Sequence, residues 1–286
     1  MKFAVVGGDE RSAILCDLLC ADGHKLRCFA LEKAELCPEA VKVGCLQSCV
    51  YGADCVVLPV PAEKSALLNA PLSNEKLTVS QLIAALWPGQ LVCGGKFGSE
   101  NSRQAQGANI FLCDIMKLPA FTAGNAVLTA EGALELLLGA GKSALWKSRV
   151  LITGFGRIAK LLALRLQALG AKVSIAARSE ADRAMAEVLG FETMGFSELD
   201  SRIGEFAYIV NTVPAQVISD AALCCMASDS VLLELASLPG GFDRNLAENI
   251  GLKLIFAPGL PGKCAPYTAA QIMKQAVYQA IKDQEE

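Results

Sequence analysis

The stretch Arg149–Ser179, RVLITGFGRIAKLLALRLQALGAKVSIAARS, constrains the fold more than any other part of the chain. An apolar run ends on Gly154-Phe155-Gly156. An amphipathic segment with helical spacing follows over 156–169, and a second apolar run covers 172–176. A strand, a tight turn, a helix and a parallel second strand form a right-handed βαβ unit. Within Gly154-x-Gly156-x-x-Ala159, the first glycine permits the turn and the second lets backbone approach a pyrophosphate. Ala159 is small enough for the helix to pack on the strand. The helix start, Gly156-Arg157-Ile158, then offers unpaired N–H groups and a positive dipole end to phosphates.

The end of the second strand predicts which dinucleotide binds. An acid there would bond the ribose hydroxyls of NAD, whereas Arg and small hydroxyl residues favour the 2′-phosphate of NADP. Here Ala177 stands at the acid's place and is followed by Arg178 and Ser179, with Arg183 a turn later. The expected cofactor is NADP. Glu180 next door keeps NAD as the alternative.

The rest of the C-terminal half continues the alternation. Strands are expected at 149–153, 172–176, 207–211, 230–235 and 253–257, and helices at 156–169, 180–190, 216–227 and 242–250. Ligands of doubly wound sheets lie at the carboxyl ends of strands. Asn211-Thr212-Val213-Pro214, Ala236-Ser237 and the loop from Pro258 to Lys263 all fall at such ends. Asn211 and Thr212 are candidates for the nicotinamide-side ribose. Val213, Pro214, Ala236 and Pro258 are candidates for lining the cofactor.

The N-terminal part alternates in the same way. KFAVVGG, KLRCFAL and DCVVLPVP read as the first three strands, with QLVCGG and NIFLCDI after them. Residues 9–22 and QLIAALW read as helices. The fold class expected is α/β, with two Rossmann-like doubly wound parallel-sheet domains and an inter-domain helix. The boundaries expected are 1–122 for a substrate-side domain, 123–146 for the inter-domain helix and 147–262 for the NADP-binding domain. A C-terminal helix over 263–286 is expected to pack back on the first domain.

Composition excludes other classes. The 286 residues are 53% hydrophobic and 19% charged, with a net charge of -3. A large core is accessible, disorder is disfavoured and a nucleic-acid binder is not indicated. No run of eighteen apolar residues is free of charge, and the start reads as a strand rather than a signal peptide. Twelve cysteines and one histidine show no zinc spacing, so no metal site is expected. Most of the cysteines sit in apolar runs and read as small buried thiols of a reducing, cytoplasmic compartment.

The strings VVGGDERS, LTAEGALEL, NTVPAQVI, LELASLPGGFD and APGLPGKCAPYTAAQI, with the glycine-turn segment, resemble the A subunit of dipicolinate synthase. The resemblance spans nearly the whole chain and is strongest over 120–275. It implies NADP-linked oxidation of a dihydrodipicolinate-type cyclic dicarboxylate, derived from 4-hydroxytetrahydrodipicolinate, to dipicolinate for bacterial endospores. It also implies a flavoprotein-like B subunit of dipicolinate synthase as partner and the mother-cell cytoplasm as location; self-association is a further possibility. Leu238 stands where the family commonly has Lys before the two glycines, and Lys263 occupies a loop position that is commonly apolar. The loops have exchanged a charge.

Such a substrate is a dianion, so cations should converge on it. Arg11 and Lys263 are the first candidates, with Lys96 behind them. Ser237, Thr268 and Tyr267 are candidate hydrogen-bond donors, and Thr129 and Glu131 are placed near the cleft. His24 lies before a strand, far from the strand ends, so the histidine–acid pair of many hydroxyacid dehydrogenases is missing. Cys264 reads as a passive thiol. Two other readings stand beside this one: a two-domain dehydrogenase of an amino or keto dicarboxylate, and a cofactor-binding subunit without chemistry.

Overall fold

Apolar runs without alternation are what parallel strands buried on both faces require, and the strands at the middle of both sheets have that pattern, whereas the inner strand KLRCF alternates, with Arg27 exposed. The computed structural model describes residues 1–285. By its internal contacts the chain divides into two units. One holds Met1–Asn125 with the residues from Ala265 onward, and the other holds Ala126–Cys264.

The first unit contains β1 (Lys2–Val6), α1 (Glu10–Ala21), β2 (Lys25–Phe29), β3 (Ala40–Lys42), α2 (Leu46–Val50) and β4 (Cys55–Val57). A short hairpin of β5 (Glu63–Lys64) and β6 (Leu67–Leu68) follows. Then come α3 (Val79–Ala84), β7 (Leu91–Gly94), α4 (Ser99–Gly107) and β8 (Phe111–Asp114). Its parallel sheet has the order β3-β2-β1-β4-β7-β8. The chain passes to the second unit within α5 (Pro119–Ala140). There follow β9 (Arg149–Thr153), α6 (Arg157–Ala168), β10 (Lys172–Ala176), α7 (Glu180–Val188), β11 (Glu192–Met194) and α8 (Leu199–Arg202). The unit closes with β12 (Tyr208–Asn211), α9 (Asp220–Cys225), β13 (Val231–Glu234), α10 (Arg244–Asn249), β14 (Lys253–Phe256) and α11 (Leu260–Cys264). Its sheet runs β11-β10-β9-β12-β13-β14. Counted along either sheet the order is third, second, first, fourth, fifth, sixth, the doubly wound arrangement expected from the alternation.

Side chains alternate across each sheet, so both faces carry a core. In the second unit, Val150 and Ile152 pack with Leu162, Leu166 and Val210 on one face. Leu151, Ile209 and Leu232 pack with Phe206 and Leu223 on the other. In the first unit, α12 (Pro266–Glu285) covers one face. Its buried residues Ala269, Ala270, Met273, Ala276, Val277 and Ala280 recur at three- and four-residue spacing and lie beside Leu15 and Leu19 of α1. At its outer edge Lys274 Nζ and Tyr278 Oη donate to Asp22 at 2.7 and 2.6 Å. These two donors hold the Asp22 carboxyl below its ordinary range.

Some local expectations change. The inter-domain helix expected over 123–146 begins earlier, at Pro119, because a proline at the first helical position loses no intrahelical bond. The strands β3 and β11 were not foreseen. Each has three residues at a sheet edge, too short to show a period. DCVVLPVP is therefore the fourth strand of its sheet, not the third. The thiols are less uniformly hidden than their apolar context suggested. Cys16, Cys28, Cys49, Cys55 and Cys93 are buried, but Cys45, Cys224 and Cys225 are exposed. The last two follow Ala222 and Leu223 on a helix whose inward face those residues already fill. No helix among the described residues is long and apolar enough to cross a membrane.

Candidate functional site

The two units contain two glycine turns, and their chemistry differs. In the first unit Asp9 caps α1: its carboxylate accepts from Arg11 N at 3.1 Å. The Arg11 guanidinium closes on the same carboxylate, with Nε 3.0 Å from Oδ1 and Nη2 2.7 Å from Oδ2. Nη2 also donates to Val60 O at 2.6 Å. A Cβ on Gly7 would stand 2.8 Å from Leu68, and the Gly8 position is closed by Ser12. This turn already holds an anion of its own, and side chains fill its surroundings.

The second unit's turn is open. Gly154 has φ +87°, a conformation that favours glycine, and a Cβ there would stand 2.7 Å from Thr212 Oγ1. Gly156 caps α6 with extended backbone and no side-chain bond, and a Cβ on it would meet nothing within 4 Å. The first N–H groups of a twelve-residue helix, at Arg157 and Ile158, thus face outward without a protein cap. Ala159 is fully buried beneath them. This geometry fits a pyrophosphate.

At the end of β10, Ala177 is buried and Arg178 is exposed, its side chain without a hydrogen-bond or ion-pair partner among the described residues. Ser179 caps α7, its hydroxyl accepting from Asp182 N at 3.3 Å. Arg183 Nη1 donates to Ala177 O and Arg178 O at 2.8 and 3.0 Å, bracing the loop that carries Arg178. A surface hollow of about 430 Å³ opens here, between Arg178, Arg183 and the Gly195–Glu198 turn. One carboxylate, Glu198, lines it and accepts from Gly195 N at 2.7 Å.

Three polar residues end β9, β12 and β13 at the same level: Thr153 pairs with Asn211, and Asn211 with Glu234. Because the strands are in parallel register, the three side chains share a face. Thr153 Oγ1 donates to Asn211 Oδ1 at 2.6 Å, and Asn211 Nδ2 donates to Glu234 Oε1 at 2.7 Å. Asn211 Oδ1 also accepts from Val213 N, and its Nδ2 donates to Val213 O. Asn211 is fully buried with both ends of its amide engaged, so its side chain shapes the loop rather than presenting itself to a ligand. Thr212 Oγ1 donates to Thr153 O at 2.7 Å; Val213 is half-buried and Pro214 exposed beside it. Glu234 escaped the sequence reading, although an acid at the end of the apolar strand VLLE was a visible signal.

Of the remaining candidates, Ala236 is buried beneath exposed Ser237 and Leu238, and Pro258 and Lys263 are exposed in the second unit. Cys264 packs against Gly132, its thiol 3.4 Å from Leu128 O, and burial pushes its pKa up, away from a reactive thiolate. Arg11 and Thr268 belong to the first unit, Arg11 buried in its ion pair and Thr268 exposed at the start of α12. Lys96 is exposed and holds Asp114 through its backbone N–H. Glu131 pairs with Arg165 at 3.3 Å. His24 lies in the first unit with Nε2 2.9 Å from Tyr278 Oη.

Residues 2–116 match the family model of the N-terminal domain of the dipicolinate synthase A subunit. Residues 138–236 match that of the D-isomer specific 2-hydroxyacid dehydrogenase NAD binding domain. The curated dipicolinate synthase A subunit of Bacillus subtilis is 28% identical over 99% of this chain and 96% of its own. The crystal structure of the dipicolinate synthase A subunit from Bacillus halodurans has 25% identity and a TM-score of 0.89, covering 98% of this chain and 97% of that one. The dipicolinate synthase A chain of Bacillus subtilis gives 26% and 0.87, over 100% and 97%. The chain is an NAD(P)-dependent oxidoreductase, and its second unit is of the nicotinamide-dinucleotide-binding kind. In sequence along its full length and in the fold of both its sheets, it is similar to the A subunits of dipicolinate synthase.

Proposed function

We propose that the chain is the dehydrogenase subunit of a dipicolinate synthase and uses NADP. The observation that carries this reading is the full-length likeness to the Bacillus subtilis A subunit. The uncapped α6 turn supports it. In the reaction, a dihydropyridine dicarboxylate formed by water loss from 4-hydroxytetrahydrodipicolinate gives a hydride to the nicotinamide and a proton to solvent. Aromatisation supplies the driving force, so the protein's main tasks are positioning and charge complementarity. Arg11 and Lys263 are the proposed partners of the substrate carboxylates, with Ser237 and Thr268 as hydrogen-bond donors. For Arg11 this requires sharing a guanidinium already bound to Asp9. The presence of Lys263 and of Leu238, where the family has Lys, supports a carboxylate contact moved between loops. By the name of its relatives, the partner would be a B subunit.

The purified chain, with and without that flavoprotein-like partner, should produce the aromatic product's absorbance and NADPH absorbance together from 4-hydroxytetrahydrodipicolinate. NADPH formation only with an amino or keto dicarboxylate would replace this reading with the broader dehydrogenase one. Dinucleotide binding without turnover on either substrate would leave a cofactor-binding subunit.

NADP rather than NAD rests on Arg178, an unpaired cation at the end of β10, with Ser179 beside it. Glu198 in the same hollow and Glu180 favour NAD. Arg178→Asp is expected to weaken NADP+ by roughly 30-fold, the scale of a lost charge-assisted bond, with NAD+ changed by less than about threefold. Calorimetric titration of both nucleotides decides it; equal weakening of the two would place the 2′-phosphate elsewhere. Glu198→Gln should move NADP+ affinity upward.

A further inference from the structure

Glu234 is 3% exposed, and every group bonded to it is a donor. Oε1 accepts from Asn211 Nδ2 at 2.7 Å and Ala236 N at 2.8 Å; Oε2 accepts from Gly241 N at 2.9 Å. No cation pairs with it among the described residues. Gly241 in turn accepts, through its carbonyl, the N–H groups of Val217 and Ile218 at 2.9 and 3.0 Å. The carboxylate therefore joins the loop after β12 to the loop after β13. Through Asn211 and Thr153 it also reaches the glycine turn, where Thr212 Oγ1 is the near neighbour of Gly154. Space enforces the same arrangement. Any Cβ on Gly241 would overlap the Asn211 amide, and one on Gly240 would stand 3.1 Å from Glu234 Oε2.

We propose that Glu234 is a positioning residue for hydride transfer. From inside the sheet it sets the relative geometry of the Thr212–Pro214 and Ala236–Gly241 backbones, against which the nicotinamide half of the dinucleotide is held. The inference rests on the dinucleotide reading of the second unit. Three converging donors require an acceptor at both oxygens. Burial alone pushes the carboxyl's pKa up, while the donors from Gly241, Asn211 and Ala236 pull against that. A glutamine of the same shape can satisfy only one side, because its amide nitrogen must face an N–H. The misfit falls on the Asn211 and Ala236 side or on the Gly241 side, and either way one loop is released. The adenosine end, held at β10 and α7, is untouched.

The experiment compares the wild type with Glu234→Gln for three quantities: affinity for 2′,5′-ADP, affinity for NADP+, and kcat against KM. We expect 2′,5′-ADP affinity within about twofold and NADP+ weakened. We expect kcat lowered by about 10- to 100-fold, the range for losing a buried bond to a charged group, with substrate KM changed much less. If kcat and NADP+ affinity stay at wild-type values, or if 2′,5′-ADP weakens as much as NADP+, the positioning role is overturned. If the wild type itself binds neither nucleotide, it is the dinucleotide reading that fails. Should Glu234→Gln not fold, the other end of the network gives the same answer. Thr153→Val removes the donor to Asn211 and should lower kcat with 2′,5′-ADP binding retained, while Thr153→Ser restores it. A Thr153→Ser enzyme as impaired as Thr153→Val would refute the hydrogen-bond chain.

Discussion

Replacing Gly156 by aspartate is expected to reduce dinucleotide affinity by at least about 100-fold while leaving the chain as stable as before, or slightly more so. The backbone of Gly156 is extended, with φ -78° and ψ -170°, and a Cβ there meets nothing within 4 Å, so the side chain enters without strain. An aspartate at a helix N-cap is a little better than glycine, by a few tenths of a kcal/mol. The same carboxylate would stand where the pyrophosphate must approach. Two unit charges about 4 Å apart at an effective dielectric of 20 repel by about 4 kcal/mol, close to a thousandfold at about 1.4 kcal/mol per tenfold. The first unit already shows this arrangement, with Asp9 on the first N–H groups of α1. The variant would make the second glycine turn a copy of the first. Titration calorimetry with NADP+, run beside a thermal melt, reads both halves. Retained affinity would remove the α6 N-terminus from the phosphate site; lost affinity accompanied by a fall of several degrees in Tm would mean that the variant acts through misfolding instead. Gly156→Ala, which adds bulk without charge, should fall between, at about tenfold.

Val277→Asp is expected to unfold the first unit. Val277 is fully buried in the face of α12 that covers that unit's sheet, among Met273, Ala276 and the α1 residues Leu15 and Leu19. A carboxylate has no partner there. Burying it, or protonating it to remain buried, costs more than about 4 kcal/mol beyond the lost packing. A domain's whole stability is about 5–15 kcal/mol. Amide exchange followed by mass spectrometry should show loss of protection in β1, β2 and α1, with β9, β10 and β12 still protected. Gln275→Asp, on the exposed side of the same helix, should change stability by less than about 0.5 kcal/mol. Unchanged protection of β1 and α1 in Val277→Asp would mean that α12 does not form part of that core.

How much of this was visible beforehand follows the range of the forces involved. The central strands of both sheets were legible because burial on two faces imposes an unbroken apolar run, and α6 and α12 because one buried stripe imposes a 3.6-residue period. The open glycine turn was legible because its steric demands act within six residues, from Gly154 to Ala159. The edge strands β3 and β11 were not, since three half-exposed residues carry no period.

At the site, the residues divide by the same measure. Arg178 and Ser179 could be placed at a strand end from the chain alone, because the strand determines where its next residues emerge. That Arg11 is locked onto Asp9 could not be read from the identity of either residue, nor could the engagement of the whole Asn211 amide in the loop. The sequence alone determined that two glycine-tipped βαβ runs must make two doubly wound sheets, and that a nicotinamide dinucleotide suits the second. Only the tertiary structure decided which glycine turn is open and which is capped by its own carboxylate. It also decided that Thr153, Asn211 and Glu234, 81 positions apart from first to last, meet at one level of the sheet. The reason is register: parallel pairing is set by the packing of whole helices against both faces, and no local run of residues encodes which strand ends will stand side by side.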